Sequence, residues 1–465
     1  MKQKRSFHLP WKMLPVIFAL AWPTMLEQLM QTAVQYIDTA MVGSLGTQAT
    51  AAVGATSTVG WLVGSSISAL GVGFLSFIAR AYGANDQERA ARVASQAVLA
   101  VLVSGILFTA VALGLSPYVP RWMQVDPSIQ GLASQYFFIL YTPMLPRAAT
   151  IIFGTALRAA SDTKTPMRVG VWVNVINVAL NFLLIYPTRT LSVLGLSFTM
   201  PGDGLGVTVA ALARAIAFTY GGVAMTIAFW KHPAISPRGQ KLRPDWDILR
   251  PCLKVALPNM LQRFGTSLGY VAFASMINSL GEISTAAHTI ANTVESAFYI
   301  PGYGMQTATA TLAGNALGAK DNKRMRDLTR MILVLETAMM IVSGGLLFAF
   351  APNMMGLFSR SPEVILLGTT VLRMVAVSEP FYGVSIVMEG MMQGAGETKL
   401  PFVFNIIGMW GVRIVGTFFC TQLFGLGLKA AWACMIAHNL LLFCMFTLYY
   451  RSGKWNPLHQ KHPKI

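Results

Sequence analysis

The stretch "MLEQLMQTAVQYIDTAMVG" (residues 25–43) is long and apolar enough to cross a membrane, yet it carries Glu27, Gln28, Gln31, Gln35 and Asp38. An ionised carboxylate at the centre of a bilayer costs roughly 3 kcal/mol on insertion scales, so such a group faces protein or water, or performs a function. Glu27, Gln31, Gln35 and Asp38 recur at spacings of three and four, which puts them on one face of a helix. Interhelical hydrogen bonding within the bilayer accounts for the glutamines equally well. It accounts less readily for Asp38.

The rest of the chain supplies the membrane. Of its 465 residues, 54% are hydrophobic and 11% charged, whereas a soluble domain carries about 25% charged residues. Twelve apolar runs, the first at residues 15–42 and the last at 426–449, are each long enough to span hydrocarbon as a helix. They do not alternate polar and apolar residues as the strands of a membrane barrel do. The expected fold is an all-α polytopic membrane protein of twelve transmembrane helices. Cys252, Cys420, Cys434 and Cys444 lie in or beside apolar segments without metal-ligand spacing and read as packing residues.

The formal net charge of +17 is distributed in a way that disfavours a nucleic-acid face, which needs one contiguous basic patch. Lys2, Lys4, Arg5 and Lys12 precede the first run, and Arg80, Arg89 and Arg92 follow the second. Arg158, Lys164 and Arg168 lie between the fourth and fifth, and Lys320, Lys323, Arg324 and Arg326 follow the eighth. Arg451, Lys454, Lys461 and Lys464 close the chain, while the alternate loops hold little beyond Arg121, Arg189 and Arg360. This positive-inside bias predicts that both termini are cytoplasmic. The first run exceeds a signal peptide in length and contains Glu27 and Asp38, so it reads as a retained helix.

The chain also repeats itself. A constant shift of 235 residues, from Pro23 to Pro258, superposes "SLG" at 44–46 on "SLG" at 279–281 and Gly83, Ala84, Asp86 and Arg89 on Gly318, Ala319, Asp321 and Arg324. The same register aligns "SDTKTP" (161–166) with "GETKLP" (396–401). Each half holds six helices, an even number, so both enter the membrane in the same sense; such parallel repeats place a substrate path between the halves. The expected organisation is an N-lobe (1–230), a basic cytoplasmic linker (231–250), for which lipid headgroup contact is the secondary reading, and a C-lobe (251–465) around a central cavity.

Candidate polar residues cluster within the runs. Asn174, Asn177 and Asn181 share one face of the fifth helix, and Arg214 interrupts the sixth. An intramembrane arginine is expected to pair with an intramembrane acid, and Asp38 is the first candidate. Amides beside a carboxyl can hydrogen-bond it in either protonation state. In the second half His288, Asn292 and Glu295 fall on one face of the eighth helix, and the tenth contributes Glu379 and Glu389. Gln31, Gln35, Asn174, His288, Asn292, Glu295 and Glu389 are therefore candidate cavity residues. For His288 a satisfied structural histidine is the reading that ranks ahead of a cavity role. No phosphate-binding GxxxxGK[ST] loop, HExxH, paired CxxC or nucleophile elbow occurs, so neither metal, cofactor nor enzymatic activity is expected.

Taken together, "PTMLEQLMQTAVQYIDTAMVG", "ARAYGANDQERA", "AGNALGAKDNKRM", "LRAASDTKTP" and "MQGAGETKLP" resemble the multidrug and toxic compound extrusion (MATE) family over nearly the whole chain. The resemblance implies cation-coupled antiport, in which an inward-moving proton or sodium ion drives export of amphipathic, often cationic, drug-like molecules by a monomer in a bacterial inner membrane. Asp38 matches the family's first-helix coupling acid and Asn177 an asparagine beside it. Asn181 stands where many relatives have an aspartate, and Arg214 where many have a threonine. Between Pro258 and Met276, where some relatives carry an acid, this chain has Gln262 and Arg263. These departures favour protons over sodium, a hard cation that prefers several anionic oxygens. The alternative within the superfamily is a flippase for lipid-linked precursors.

Overall fold

A computed structural model describes residues 9–193, 196–203 and 206–459. Lys2, Lys4, Arg5, Lys461 and Lys464, part of the predicted basic ends, lie outside these residues. The described chain forms twelve long helical segments. In the first half these are α1 (Leu14–Gly43), α2 (Thr47–Gly83), α3 (Gln87–Leu115), α4 in two pieces (Gln130–Tyr141 and Met144–Ala159), α5 (Lys164–Leu184) and α6 (Val207–Lys231). In the second half they are α7 (Trp246–Asn278), α8 (Glu282–Gly318), α9 (Asn322–Phe358), α10 in two pieces (Pro362–Ala376 and Glu379–Gly394), α11 (Lys399–Leu423) and α12 (Leu428–Ser452).

Eight of these helices are long and apolar enough to cross a membrane, and counting each bent pair as one span brings the number to ten. The remaining two, α7 and α8, are 33 and 37 residues long. Their apolar character is diluted by residues such as Gln262, Arg263, Asn292 and Glu295, which belong to the wall between the halves. Large apolar side chains, among them Val103, Ile106, Trp172, Val223, Val342 and Leu448, remain exposed on the outside. Lipid is the solvent that such a surface fits.

The repeat is carried by turn chemistry as well as by apolar pattern. Asp86 accepts a hydrogen bond from Arg89 N at the start of α3, and Asp321 does the same from Arg324 N at the start of α9. The left-handed backbone positions also match across the shift of 235: Gly46 (φ 113°) with Gly281 (φ 111°), Asn85 with Lys320 (both φ 55°), and Ser161 (φ 64°) with Gly396 (φ 77°). Even the breaks correspond, since α4 bends by 48° after Tyr141 and α10 by 54° after Ala376. Proline sits beside each break, at Pro143 and Pro380.

One element departs from helix. Between α5 and α6, β1 (Pro187–Val193) and β2 (Leu196–Asp203) pair antiparallel, with Thr190 opposite Thr199. A two-stranded ribbon is marginal on its own, and this one packs on α5.

The halves meet through α1, α2, α7 and α8. At the end where the basic turns cluster they are clasped by a near-symmetric set of contacts. Gly83 on α2 abuts the Asn315 backbone on α8, and Gly318 on α8 abuts the Arg80 backbone on α2. The shift of 235 carries Arg80 onto Asn315 and Gly83 onto Gly318, so one contact is made twice. From α2, Ser76 Oγ donates to Gly394 O (3.2 Å) and the Arg80 guanidinium to Ala395 O, at the end of α10. From α8, Thr311 Oγ1 donates to Arg158 O (3.1 Å) and Asn315 Nδ2 to Ser161 Oγ (2.8 Å), at the end of α4.

The segment joining the halves runs from the end of α6 at Lys231 to Asp245, which caps α7 through Asp247 N (3.1 Å). It is tethered to α3 by the Arg92–Asp245 ion pair (2.7 Å) and by Gln96, which donates to Arg243 O (2.9 Å) and accepts from Asp245 N (3.0 Å). The hydrogen bond from Arg92 holds the partly exposed Asp245 carboxyl below its ordinary range. The described C-terminal tail returns to the same end, where Asn456 Nδ2 donates to Asn322 Oδ1 (3.3 Å).

Candidate functional site

A cavity of about 920 Å³ lies between the halves and is lined by both. Its N-half wall is built from α1, α2 and α4–α6. Asp38, 5% exposed, receives hydrogen bonds from Asn177 Nδ2 to both carboxylate oxygens (2.9 Å each), from Asn181 Nδ2 to Oδ1 (2.8 Å), and from the Arg214 guanidinium to Oδ2. Helical spacing explains the convergence: Asn177 and Asn181 are one turn apart on α5, which packs against α1 and α6. The carbonyl oxygens of both asparagines are buried without a partner.

Three turns toward the clasp along α1, Glu27 Oε1 pairs with Arg158 on α4 at 2.6 Å. The side chains are 9% and 16% exposed, so the pair is largely shielded and far more consequential than a surface bridge. Gln31, Gln35 and Asn174 line the cavity beside these acids. Arg147 on α4 also faces it, its guanidinium 5.0 Å over the Phe218 ring and 3.5 Å from Gly60 O.

The C-half wall is different. Glu389 on α10 sits in an amide cage: Gln262 Nε2 donates to Oε1 at 2.7 Å, Gln393 Nε2 to the same oxygen at 3.0 Å, and Asn405 Nδ2 to Oε2 at 3.2 Å. Next to it, Tyr303 and Tyr382 join hydroxyls at 3.0 Å, and Tyr299 packs edge-on to both rings. Arg413 lies in a π-helical stretch of α11 and stacks on Phe273 and Tyr270, 4.2 and 4.9 Å from their centroids. Such stretches collect at functional positions because they re-aim a side chain without ending the helix. Asn292 and Glu295 line the same wall. Glu336 and Glu379 are buried in the C-half, Glu336 with both oxygens unpartnered.

The structure thus brings Asp38, Asn177, Asn181 and Arg214 into one cluster and lines the cavity with Gln31, Gln35, Asn174, Asn292, Glu295 and Glu389. His288 is the correction. It does not line the cavity; it packs between Phe273 and Trp432 and accepts a hydrogen bond from Trp432 Nε1 at Nδ1 (3.2 Å), which makes it a structural histidine. Sequence reading overlooked the Glu27–Arg158 pair, the cage around Glu389, and Arg147 and Arg413. The intramembrane-charge rule that singles out Arg214 applies equally to Arg147, Arg413 and Glu336. No group of three or more histidine, cysteine, aspartate or glutamate side chains suited to a metal occurs among the described residues.

Comparison with known proteins agrees with this architecture. The MatE family model matches residues 23–183 and 258–419, one match in each half. The "Probable multidrug resistance protein NorM" of Thermotoga maritima is 26% identical over 443 residues, covering 94% of this chain and 92% of that protein. The "Probable multidrug resistance protein YpnP" of Bacillus subtilis is 27% identical over 446 residues, 95% of each. Among solved structures, one described as the outward-facing conformation of a multidrug resistance MATE family transporter of the MOP superfamily superposes with a TM-score of 0.86, at 23% identity and 96% coverage of both chains.

Proposed function

Because the chain belongs to the MatE family of membrane transporters, we propose that it is a secondary antiporter that exports amphipathic drug-like molecules in exchange for protons. The names of its relatives support the substrate class. The basic clasped end is then cytoplasmic, as are both termini, and the membrane is a bacterial inner membrane. The segment 231–250 is a cytoplasmic linker against the headgroups, between an N-lobe of residues 1–230 and a C-lobe of residues 251–465. A monomer suffices, since one chain supplies both walls of the cavity.

The observation that carries the coupling is the surroundings of Asp38. As a carboxylate it accepts N–H bonds from Asn177 and Asn181 and an ion pair from Arg214. The carbonyl oxygens of both amides are unpartnered in that state. Turning either amide over offers a carbonyl to the O–H of a protonated Asp38, so the group keeps hydrogen bonds through a full cycle. Protonation from outside removes the negative charge but leaves Arg214 cationic, which expels a cationic group from that part of the cavity. Release of the proton toward the cytoplasm restores the site.

Sodium fits less well, because Asp38 contributes the cluster's one carboxylate and already faces three nitrogen donors. Alternating access follows from breaking and remaking the clasp between Arg80, Gly83, Asn315 and Gly318.

The test is efflux of a fluorescent cationic dye from proteoliposomes holding wild type or Asp38→Asn, driven separately by a proton and by a sodium gradient. Proton-driven efflux that disappears in the variant is the expected result. Efflux that persists in Asp38→Asn, or that only sodium drives, would refute Asp38 as the proton carrier.

A further inference from the structure

The cavity walls carry more guanidinium than carboxylate. Five arginines, Arg147, Arg158, Arg214, Arg263 and Arg413, face four acids, Glu27, Asp38, Glu295 and Glu389. Arg158 and Arg214 are each matched by a carboxylate in an ion pair. Arg413, whose Nε also lacks a hydrogen-bond partner, is held by the Phe273 and Tyr270 faces and the Met435 sulfur, and Arg147 has the Phe218 face and Gly60 O.

Arg263 is served least. Among the described residues no carboxylate lies within ion-pair distance of it, and its Nε is buried with no hydrogen-bond partner. Glu389 is nearby, but its oxygens are taken by Gln262, Gln393 and Asn405. A cation at membrane depth without a counter-ion is costly, and a buried unsatisfied donor calls for an explanation. The explanation closest at hand is that the counter-ion comes and goes.

Resting on the exporter reading, we infer that Arg263 is the anchor for an anionic group, a carboxylate, sulfonate or phosphate, on an aromatic substrate. The guanidinium offers a planar fork that matches such groups bidentately. Tyr270, Tyr299, Tyr303 and Tyr382 line the cavity on the same half and supply ring faces and edges for the aromatic part. Zwitterions then satisfy both walls. Their ammonium or iminium end competes with the proton at Asp38, and their anionic end neutralises Arg263. This narrows the expectation of cationic substrates: a cation lacking an anionic group leaves Arg263 unpaired.

A matched pair of probes isolates the claim. Rhodamine B carries a carboxylate, and its ethyl ester is the same dye without it. Binding of each to wild-type protein in lipid nanodiscs, with no gradient, is read by fluorescence polarisation. The expected result is about tenfold tighter binding of the acid, a ratio that falls to about one in Arg263→Gln and partly recovers in Arg263→Lys.

Equal affinity for the two dyes in wild type would overturn the inference, as would a preference that survives both substitutions or that is lost in Arg147→Gln but kept in Arg263→Gln. Should the glutamine variant fail to fold, the wild-type ratio and the lysine variant decide. Proteoliposomes that export the ester without preferring the acid would sink this inference alone. Proteoliposomes that move neither dye under any gradient would sink the exporter reading with it.

Discussion

Replacing Gly83 with alanine is expected to pry open the clasped end without disturbing the fold elsewhere. Gly83 has an ordinary helical backbone, so alanine is tolerated conformationally and only space opposes it. The added Cβ would fall 2.7 Å from Asn315 Cα and nearer still to its carbonyl oxygen, whereas real Cβ contacts do not come below 3.0 Å. Helices α2 and α8 must part by on the order of 1 Å, an overpacking strain of roughly 1–3 kcal/mol. The strain exists only while the clasp is closed, so it shifts the equilibrium between closed and open clasp by about 5- to 150-fold. Gly318→Ala, its counterpart against the Arg80 backbone, has the same sign and a similar size.

Spin labels at the exposed Gln87 and Lys323, in a background with Cys420, Cys434 and Cys444 replaced, report the separation of the two halves by pulsed dipolar spectroscopy. Wild type should give mainly the short distance, and Gly83→Ala a new longer population with reduced transport. An unchanged distance distribution accompanied only by a lower Tm would refute the reasoning, because it would mean that the strain is borne in every conformation.

Three further outcomes are expected. Arg158→Met strands the Glu27 carboxylate in a largely buried place and should cost about 3–5 kcal/mol, read as a lower Tm in detergent, with Glu27→Gln/Arg158→Met recovering much of it. His288→Leu removes the acceptor for Trp432 and should lower stability by about 1–3 kcal/mol while sparing dye efflux; loss of efflux at full stability would return His288 to the substrate path. For the interlobe tether, the Asp245 carboxyl is depressed by Arg92, so the contact stabilises above the ordinary aspartate range and is lost as pH falls through the lowered value. Amide exchange at the start of α7 should accordingly stay protected through ordinary carboxylate titration and rise only in stronger acid, whereas in Arg92→Ala it should rise earlier.

Much of this architecture is written in local pattern. A shift of 235 residues anticipates not only twelve helices but matching caps at Asp86 and Asp321 and matching left-handed turns at Asn85 and Lys320, because each depends on a few neighbouring residues. The Asp38 cluster is legible for the same reason: Asn177 and Asn181 declare a shared face, and Arg214 is conspicuous in an apolar run. Pairings between distant helices leave no such trace. Nothing local ties Glu27 to Arg158, 131 positions away, or Glu389 to Gln262, 127 positions away. The β1–β2 hairpin escapes for another reason, since its strands lie in a connection between membrane runs, where apolar spacing carries no signal. His288 shows the limit of a face argument, which places a residue on a helix surface without saying which neighbour that surface meets.

The clasp has a consequence for the bookkeeping of charge. Its contacts are isologous, residue i against j and j against i, as in a two-fold homodimer. Two separate six-helix chains could form it equally well, but every interior side chain would then occur in duplicate. In the single chain the shift of 235 carries Asp38 onto Phe273 and Asn177 onto Val412, and the shift of 221 that relates α6 to α12 carries Arg214 onto Met435. Joining the halves through residues 232–245 therefore frees the interior from a symmetry that the clasp still obeys. It lets one lobe hold the Asp38–Arg214 pair while the other holds Arg263 with no carboxylate in ion-pair distance, a polarity that no symmetric dimer can have.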